Sequence, residues 1–462
     1  MPLILGANSA SGGYNVANSL RFNDDSSDYL NRTPASATNR RTYTISTWIK
    51  RSNLSLDMGV IEAASDSSNR TYLSIGTFNT NELSFVYRTG GTNTAIVSSS
   101  NLLRDVSAWY HIVCAVDTTQ ATANNRIRLY INGSEVSYAT QTMPSQNTDM
   151  FINNNIAHHI SRAIHASERY FDGYMSEFYF IDGTQLTPSS FGETDFDTGI
   201  WKPKAYTSTF GTNGFYLQFK NSASLGTDSS GNGNTFTVNN LTSIDQTTDT
   251  PTNNFATINT LTCNDTGTLT SADGNLTITG GNDMGATIGI TKGKWYWESK
   301  RTNTGSAAHW GIGFTQSWSS STQIVTGNGS GIWIRNDFVG GYNVNNSGSN
   351  GFTTISGSTT GSSIANGDIV GIALDLDSAT KSITFYQNGS SVGSGTFSYD
   401  GTSSTCFPFV RNNSGASSQW NFGNPPFTIS SGNTDGAGYG NFSYAVPSGY
   451  FALCTKNLAD YG

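Results

Sequence analysis

Cleavage of a glycosidic bond requires two carboxylates flanking it, ~5 Å apart where configuration is retained. The stretch "GYMSEFYFIDG" offers Glu177 and Asp182, which are five residues apart and therefore fall on opposite faces of an extended strand. In "DLD", Asp375 and Asp377 share a face but stand directly before a loop, and they read as solvent-facing residues. Nucleophilic chemistry fares no better, because no G-x-S-x-G elbow joins a strand to a helix. Of the five histidines, His158, His159 and His165 crowd into "NNNIAHHISRAIHASERYFDG". Neighbours on a strand point apart, and no thiol or carboxylate stands at ligand spacing, so these read as packing or surface histidines rather than a zinc site. The loop "NDDSSD" is richer in oxygen: Asp24, Asp25 and Asp28, with Glu177 from a later strand, are the candidate ligands of a structural calcium ion. The competing reading is a hydrated turn. For ligand binding, "SGIWIRNDFVGGYNVNNSG" sets Trp333, Arg335, Asp337 and Tyr342 beside a Gly/Asn-rich loop. Such residues stack on a sugar's apolar face and bond its hydroxyls, although Trp333 also fits a core position.

The elements that must carry these residues are strands. Alternation of apolar and polar residues is clear in "YTISTWIKR", "NRIRLYING", "KWYWESK", "GDIVGIALDLD" and "KSITFYQNG", each bounded by turn residues. Helical periodicity is nearly absent; "LTPSSFGE" alone predicts one short turn, with Thr187 as cap and Pro188 in first position. One hairpin is written twice. "RLYINGSEV" at 128–136 and "TFYQNGSSV" at 384–392 align at an offset of 386 − 130 = 256 residues, and each places Asn-Gly between alternating strands. Each is fed by a strand ending in aspartate, at Asp117 and Asp377. The chain therefore reads as all-β, with two tandem antiparallel β-sandwiches.

Length supports that division, since 462 residues exceed what one core usually serves. Charged residues make up only 12%, with a net charge of −8 and no Lys/Arg cluster along the sequence, which argues against nucleic acid as a partner. The surface is mostly neutral and polar, so recognition by hydroxyls, amides and aromatic faces tolerates salt. The opening "MPLILGANSASGGY" contains neither a basic segment nor an apolar run long enough for export or membrane insertion. Cys114, Cys263, Cys406 and Cys454 are scattered singly, without a C-x-x-C pair. Asn132-Gly-Ser and Asn388-Gly-Ser match a glycosylation pattern, but turn chemistry accounts for both.

The segments "SLRFNDDSSDYLNRT", "YTISTWIKRS", "AWYHIVCAVD", "RIRLYINGSEV" and "RYFDGYMSEFYFIDGTQLTPSSFGE" resemble, in that order, a laminin-G or concanavalin A-like jelly roll. "GKWYWESK", "HWGIGFTQS", "GDIVGIALDLDSATKSITFYQNG", "FPFV" and "WNFGNPPF" resemble a SPRY domain. The expected organisation is a tail or anchor at 1–15, a concanavalin A-like sandwich at 16–205 and a loop-rich connector at 206–258. A SPRY-like sandwich at 259–430 and a loop with a returning strand at 431–462 complete it. The first resemblance implies that a sandwich of this kind often holds calcium; the second places a variable recognition loop near Trp333. The pairing of the two resembles structural proteins on the virion surface of tailed bacteriophages, on head or tail. That implies a non-enzymatic fibre or adhesin binding a host-surface glycan or protein, without membrane insertion and assembled as a homo-oligomer, with a trimer expected. A capsid decoration protein contacting other virion subunits is the alternative, and a polysaccharide hydrolase the remote one.

Overall fold

A computed structural model describes residues 13–462, apart from 165–168, 264–268, 282, 305–307, 316–329, 336–362, 400, 402–404, 413–414 and 431. The segment "MPLIL", expected as an anchor, lies outside the described residues. The fold is all-β, with a single α-helix among the described residues, and the chain divides between Thr252 and Asn253 into two compact units.

The first unit is a sandwich of two antiparallel sheets. Sheet one runs in the order Ser134–Glu135, Ile127–Ile131, Tyr110–Asp117, Thr42–Arg51, Gly173–Asp182, Ser19–Phe22, Gln246–Thr247, with Phe215–Leu217 also pairing Gly173–Asp182. Sheet two runs Tyr138–Thr142, Thr92–Leu102, Glu82–Thr89, Asn69–Ile75, Met58–Asp66, His158–Ile160, Tyr29–Arg32, Thr237–Asn239. Alternate residues turn inward because strand side chains have a period of two. Ile45, Ile112, Phe178 and Phe180 from sheet one thus meet Leu73, Phe85 and Val97 from sheet two in one core. Each such side chain contributes roughly 1.5–3 kcal/mol on burial.

The repeated hairpin forms twice, as the spacing predicts. Asn132 and Gly133 have φ of 48° and 83°, and Asn388 and Gly389 have φ of 50° and 80°. Positive φ at both central residues matches strand twist, which is why Asn-Gly suits the turn. Pro188 opens a short 3-10 turn, Pro188–Ser190, but Thr187 makes no cap bond; its hydroxyl pairs instead with Ser189 Oγ at 2.9 Å.

The expected connector is the principal departure. Residues 206–252 belong to the first unit: Phe215–Leu217 and Gln246–Thr247 extend sheet one, and Thr237–Asn239 extends sheet two. Phe215, Leu217, Phe219, Leu225 and Phe236 enter its core. Strands of two or three residues are too short to show a period, and only the edges they complete give them strand structure.

In the second unit the larger sheet runs Thr270–Ala272, Thr277–Thr279, Ala416–Asn421, Lys294–Thr304, Ile369–Asp375, Lys381–Gln387, Ser390–Phe397. The smaller one runs Met284–Gly285, Thr405–Asn412, Ala308–Thr315, Ser330–Arg335. Trp295, Trp297, Trp310 and Trp420 fill the core between them. In the tail, Phe451–Ala452 pairs parallel to Lys294–Thr304, and an unforeseen helix follows, Thr455–Tyr461. At seven residues the helix is too short to announce itself by periodicity. Asp435 holds the tail together, accepting from the amides of Ala437, Tyr439 and Ala452 and from Asn457 Nδ2.

Candidate functional site

The four proposed calcium ligands do not come together. Phe22 pairs with Gly173 and Leu20 with Met175, so the chain to Asp24 leaves sheet one at its Gly173 end. Glu177 lies four residues along in the opposite sense, about 13 Å of strand. Asp28 closes its own loop, accepting from the Asn23 amide at 3.0 Å and Ser26 Oγ at 2.8 Å. Glu177 is buried and engaged by phenols: Tyr14 at 2.8 Å, Tyr179 at 2.7 Å and Tyr216 at 2.7 Å. Burial raises its pKa, against the pull of these three donors. Among the described residues, no three His, Cys, Asp or Glu side chains gather as a metal site would require.

Glu177 points this way because of a bulge. Its φ is 51°, and the register with Thr42–Arg51 slips between Ser176 and Tyr179. The signal is visible in "MSEFYF", where the core residues Met175 and Phe178 are three apart instead of two. The bulge leaves Glu177 and Asp182 on opposite faces; Asp182 instead accepts from Thr38 Oγ1 and Asn153 Nδ2.

Asp375 is buried rather than solvent-facing, in an ion pair with Lys294 at 2.8 Å. Burial is the largest influence on its pKa and acts upward, but Lys294 and donors from Ser378 and Asp377 outweigh it and hold the pKa at about 2. Trp333 is 2% exposed. It packs near His309 and Phe409, so its ring is not presented for stacking. The Arg335 backbone pairs with His309; the Arg335 side chain, Asp337, Tyr342 and His165 lie outside the described residues.

On the outer side of sheet one, His111 sits between two indoles, 4.9 Å from Trp48 and 6.0 Å from Trp201. Trp201 Nε1 donates to His111 Nδ1 at 3.0 Å, so the ring's other nitrogen donates to Ser46 Oγ at 2.8 Å. This fixes a neutral tautomer, and burial lowers the pKa to about 3. Nearby, Lys50 and Asp249 form a buried ion pair at 2.9 Å, with Trp109 Nε1 donating to Asp249 at 3.1 Å. The His111 ring, the Trp109 and Trp201 indole N–H groups and the Lys50–Asp249 pair are engaged within the protein, which marks the cluster as structural.

The outer face of sheet two is different. Its register sets Arg70 opposite Arg88, Tyr72 opposite Val86, and Glu62 opposite both Tyr72 and His159. These residues alternate with core positions Leu73, Phe85 and Ala63, so all point away from the core. The Arg162 guanidinium lies over the Tyr29 ring at 4.7 Å and Arg70 over Tyr72 at 5.1 Å. Tyr170 and His159 flank Tyr29, at 6.2 Å and 5.9 Å. Tyr29, Arg88, Arg162 and Tyr170 are half-buried, which leaves edges and faces open to solvent. Glu62 faces Arg70 at 3.8 Å and accepts from the Ile164 amide. Burial, opposed by that amide and by Arg70 and Arg162, pushes its pKa up to about 7. Sequence reading missed this face. Arg70, Arg88 and Arg162 are separated by 88 − 70 = 18 and 162 − 88 = 74 residues, and only strand pairing makes them neighbours. The available signal was the period-two pair Arg70 and Tyr72 in "NRTYLSI".

Comparisons with known proteins follow the two units. Residues 24–190 match the family model described as the Concanavalin A-like lectin/glucanases superfamily, and residues 294–425 match that of the SPRY domain. Domains LG4-5 of the mouse laminin α1 chain are 10% identical, with 94% of this chain and 96% of that one covered, at a TM-score of 0.29. The heptameric SAP-like pentraxin from Limulus polyphemus is 14% identical, with 38% and 80% covered, at a TM-score of 0.27. No curated protein matches the sequence.

Proposed function

We propose that the protein is a non-catalytic recognition module of a tailed-phage particle surface, whose first sandwich binds a host-surface glycan on the outer face of sheet two. One observation carries this reading: the half-buried Tyr29 ring, with the Arg162 guanidinium over it and Tyr170 beside it, stands on one sheet face with an edge open to solvent. Aromatic planes and fixed donors suit a sugar ring and its hydroxyls. The separation of Glu177 from Asp182 and the tie of Asp375 to Lys294 support recognition without cleavage. The particle setting rests on the paired resemblance of the two sandwiches, as does the expected trimer, which sedimentation equilibrium tests.

Labelled full-length protein should bind host cells saturably and be displaced by polysaccharide released from them, with no new reducing ends formed. Absence of saturable binding, with antibody label spread over the capsid, would replace this reading with the decoration one. Phe196 favours that second reading: it is 99% exposed on a turn whose Asp195 accepts from the Asp197 and Thr198 amides. A rigidly held, bare phenylalanine suits contact with another virion subunit.

A further inference from the structure

We infer that the second unit carries a binding site of its own, for an uncharged glycan, on the outer face of its larger sheet where Lys381–Gln387 and Ser390–Phe397 pair. Ile383, Phe385, Val392 and Phe397 enter the core, so the residues alternating with them turn outward. Register sets the outward residues in three pairs: Ser382 with Thr396, Thr384 with Ser394, and Tyr386 with Ser391. All six carry a hydroxyl and all are half-buried or exposed. Among the described residues, none of these hydroxyls is bonded to another side chain or to backbone.

Tyrosines border this face along its length. Tyr296, Ala373 and Phe442 form an apolar cluster where the tail lies over the sheet, and Tyr386, Val446 and Tyr450 pack against it. Tyr444 stands over the Asn388-Gly389 turn at one end, since a Cβ on Gly389 would lie 2.5 Å from its ring. At the other end Lys294 lies over the Tyr450 ring at 5.9 Å, and its partner Asp375 is opposite Ser382. Tyr386, Tyr444 and Tyr450 are half-buried, and their phenol groups bond to no described residue. From Ser382 to Tyr386 the strand runs roughly 13 Å, long enough for an oligosaccharide. Each serine or threonine hydroxyl both donates and accepts, as a sugar's own hydroxyls do, and a tyrosine gives an apolar plane with a polar tip. The absence of charge names the class: no charged residue stands between Ser382 and Tyr399. Lys294 and Asp375 neutralise each other at 2.8 Å, and Asp368 at the turn is taken up by Gln387 Nε2 and Asn388 Nδ2, each at 2.8 Å. A protein partner ordinarily buries an apolar centre, and no aliphatic side chain stands among the outward pairs.

The test measures binding of the full-length protein to four immobilised polymers: dextran, laminarin, mannan and polygalacturonate. We expect binding to at least one of the three neutral polymers, changing little as salt is raised, and none to polygalacturonate. Thr384→Arg should abolish it by setting a long charged side chain on the face, and Tyr450→Ala should weaken it about tenfold through loss of a stacking ring. Tyr450→Phe, which keeps the ring, should retain most of the binding. Ser394→Arg, on the exposed edge strand, repeats the block should Thr384→Arg lower the melting temperature. Neutral binding that both arginine variants leave intact would overturn the inference; its loss in Tyr29→Ala would then assign it to the first sandwich, whose reading would stand. Binding to polygalacturonate only, or to no polymer, would also overturn the inference, while host-cell binding decides the first-sandwich reading separately. An oligomer that Ser394→Arg dissociates in sedimentation would show that another copy covers this face, and would overturn it as well.

Discussion

The two sandwiches solve one local problem in the same way and a second one differently. In each, the Asn of the Asn-Gly turn folds back on the strand before it. Asn132 Oδ1 accepts from the His111 amide at 2.8 Å, and Asn388 Oδ1 accepts from the Ile369 amide at 2.9 Å. In each, the following glycine is covered by an aromatic from a later segment: a Cβ on Gly133 would lie 2.6 Å from the Trp201 ring, and one on Gly389 would lie 2.5 Å from Tyr444. Each also buries a glutamate on a sheet's outer face. Glu177 is satisfied by phenol hydroxyls, whereas Glu298 accepts from the Ser443 and Tyr444 amides at 2.9 Å and 3.0 Å, with Tyr296 and Asn421. Hydroxyls rotate; backbone amides do not. One carboxylate thus completes a side-chain cluster, and the other pins a length of chain.

The strongest test of that difference is Glu298→Ala. It removes the acceptor of two fixed amides and should cost about 3–5 kcal/mol, with faster hydrogen exchange at Ser443 and Tyr444. Glu177→Ala should cost only about 2 kcal/mol, since three phenols can turn toward one another or to water. Equal losses in chemical denaturation would erase the distinction.

Acid should separate the units next. Burial lowers His111 to about 3, and burial together with Arg32 and His159 lowers His158 to about 4, both in the first sandwich. A depressed folded-state pKa means that the stability each contributes is complete above about pH 6.5. It is lost as pH falls through about 4 for His158 and about 3 for His111. The expected slope is about 1.4 kcal/mol per pH unit for each histidine, reaching roughly 3 kcal/mol for His158 and roughly 5 kcal/mol for His111 as the folded-state values are approached. Glu298, whose pKa burial raises, works in the opposite sense, as do Glu62 and Glu177 within the first sandwich: such a contribution is present below the ordinary carboxylate range and lost as pH rises through the folded value. Stability measured between pH 4 and pH 7 should therefore depend less on pH in His158→Gln than in the parent protein, and an unchanged slope would refute the assignment.

Alanine at the turn glycines gives a smaller, graded effect. Both positions have positive φ, but the Trp201 indole is held by its bond to His111, while Tyr444 is half-buried and can swing outward. Gly133→Ala should cost about 2–3 kcal/mol and Gly389→Ala about 1–2 kcal/mol by thermal or chemical unfolding. The reverse order would mean that Tyr444 is the more tightly held ring. Smallest is Tyr14→Phe, which removes one of the phenols on Glu177 and should cost about 1 kcal/mol.

Legibility followed the range of the interactions. The hairpins at Asn132 and Asn388, the alternating strands and Pro188 at its turn depend on neighbours within a few residues, and they form where the pattern places them. Strands at 215–217, 237–239 and 246–247 escaped notice, because segments of two or three residues, the latter two mostly polar, become strands only beside an open sheet edge. Asp375 read as solvent-facing because its partner, Lys294, lies 375 − 294 = 81 residues away.

By itself, then, the sequence settled the class of structure, the doubling of the hairpin and the two-sandwich plan, since turn chemistry and period-two alternation are local. Tertiary structure alone decided which charges meet. Pairing Asn69–Ile75 with Glu82–Thr89 put Arg70 against Arg88, and one bulge at Glu177 turned a supposed metal ligand into an acceptor for tyrosines. Electrostatic character depends on distance in space, and in a sheet that distance is set by register, which no short stretch of this chain records.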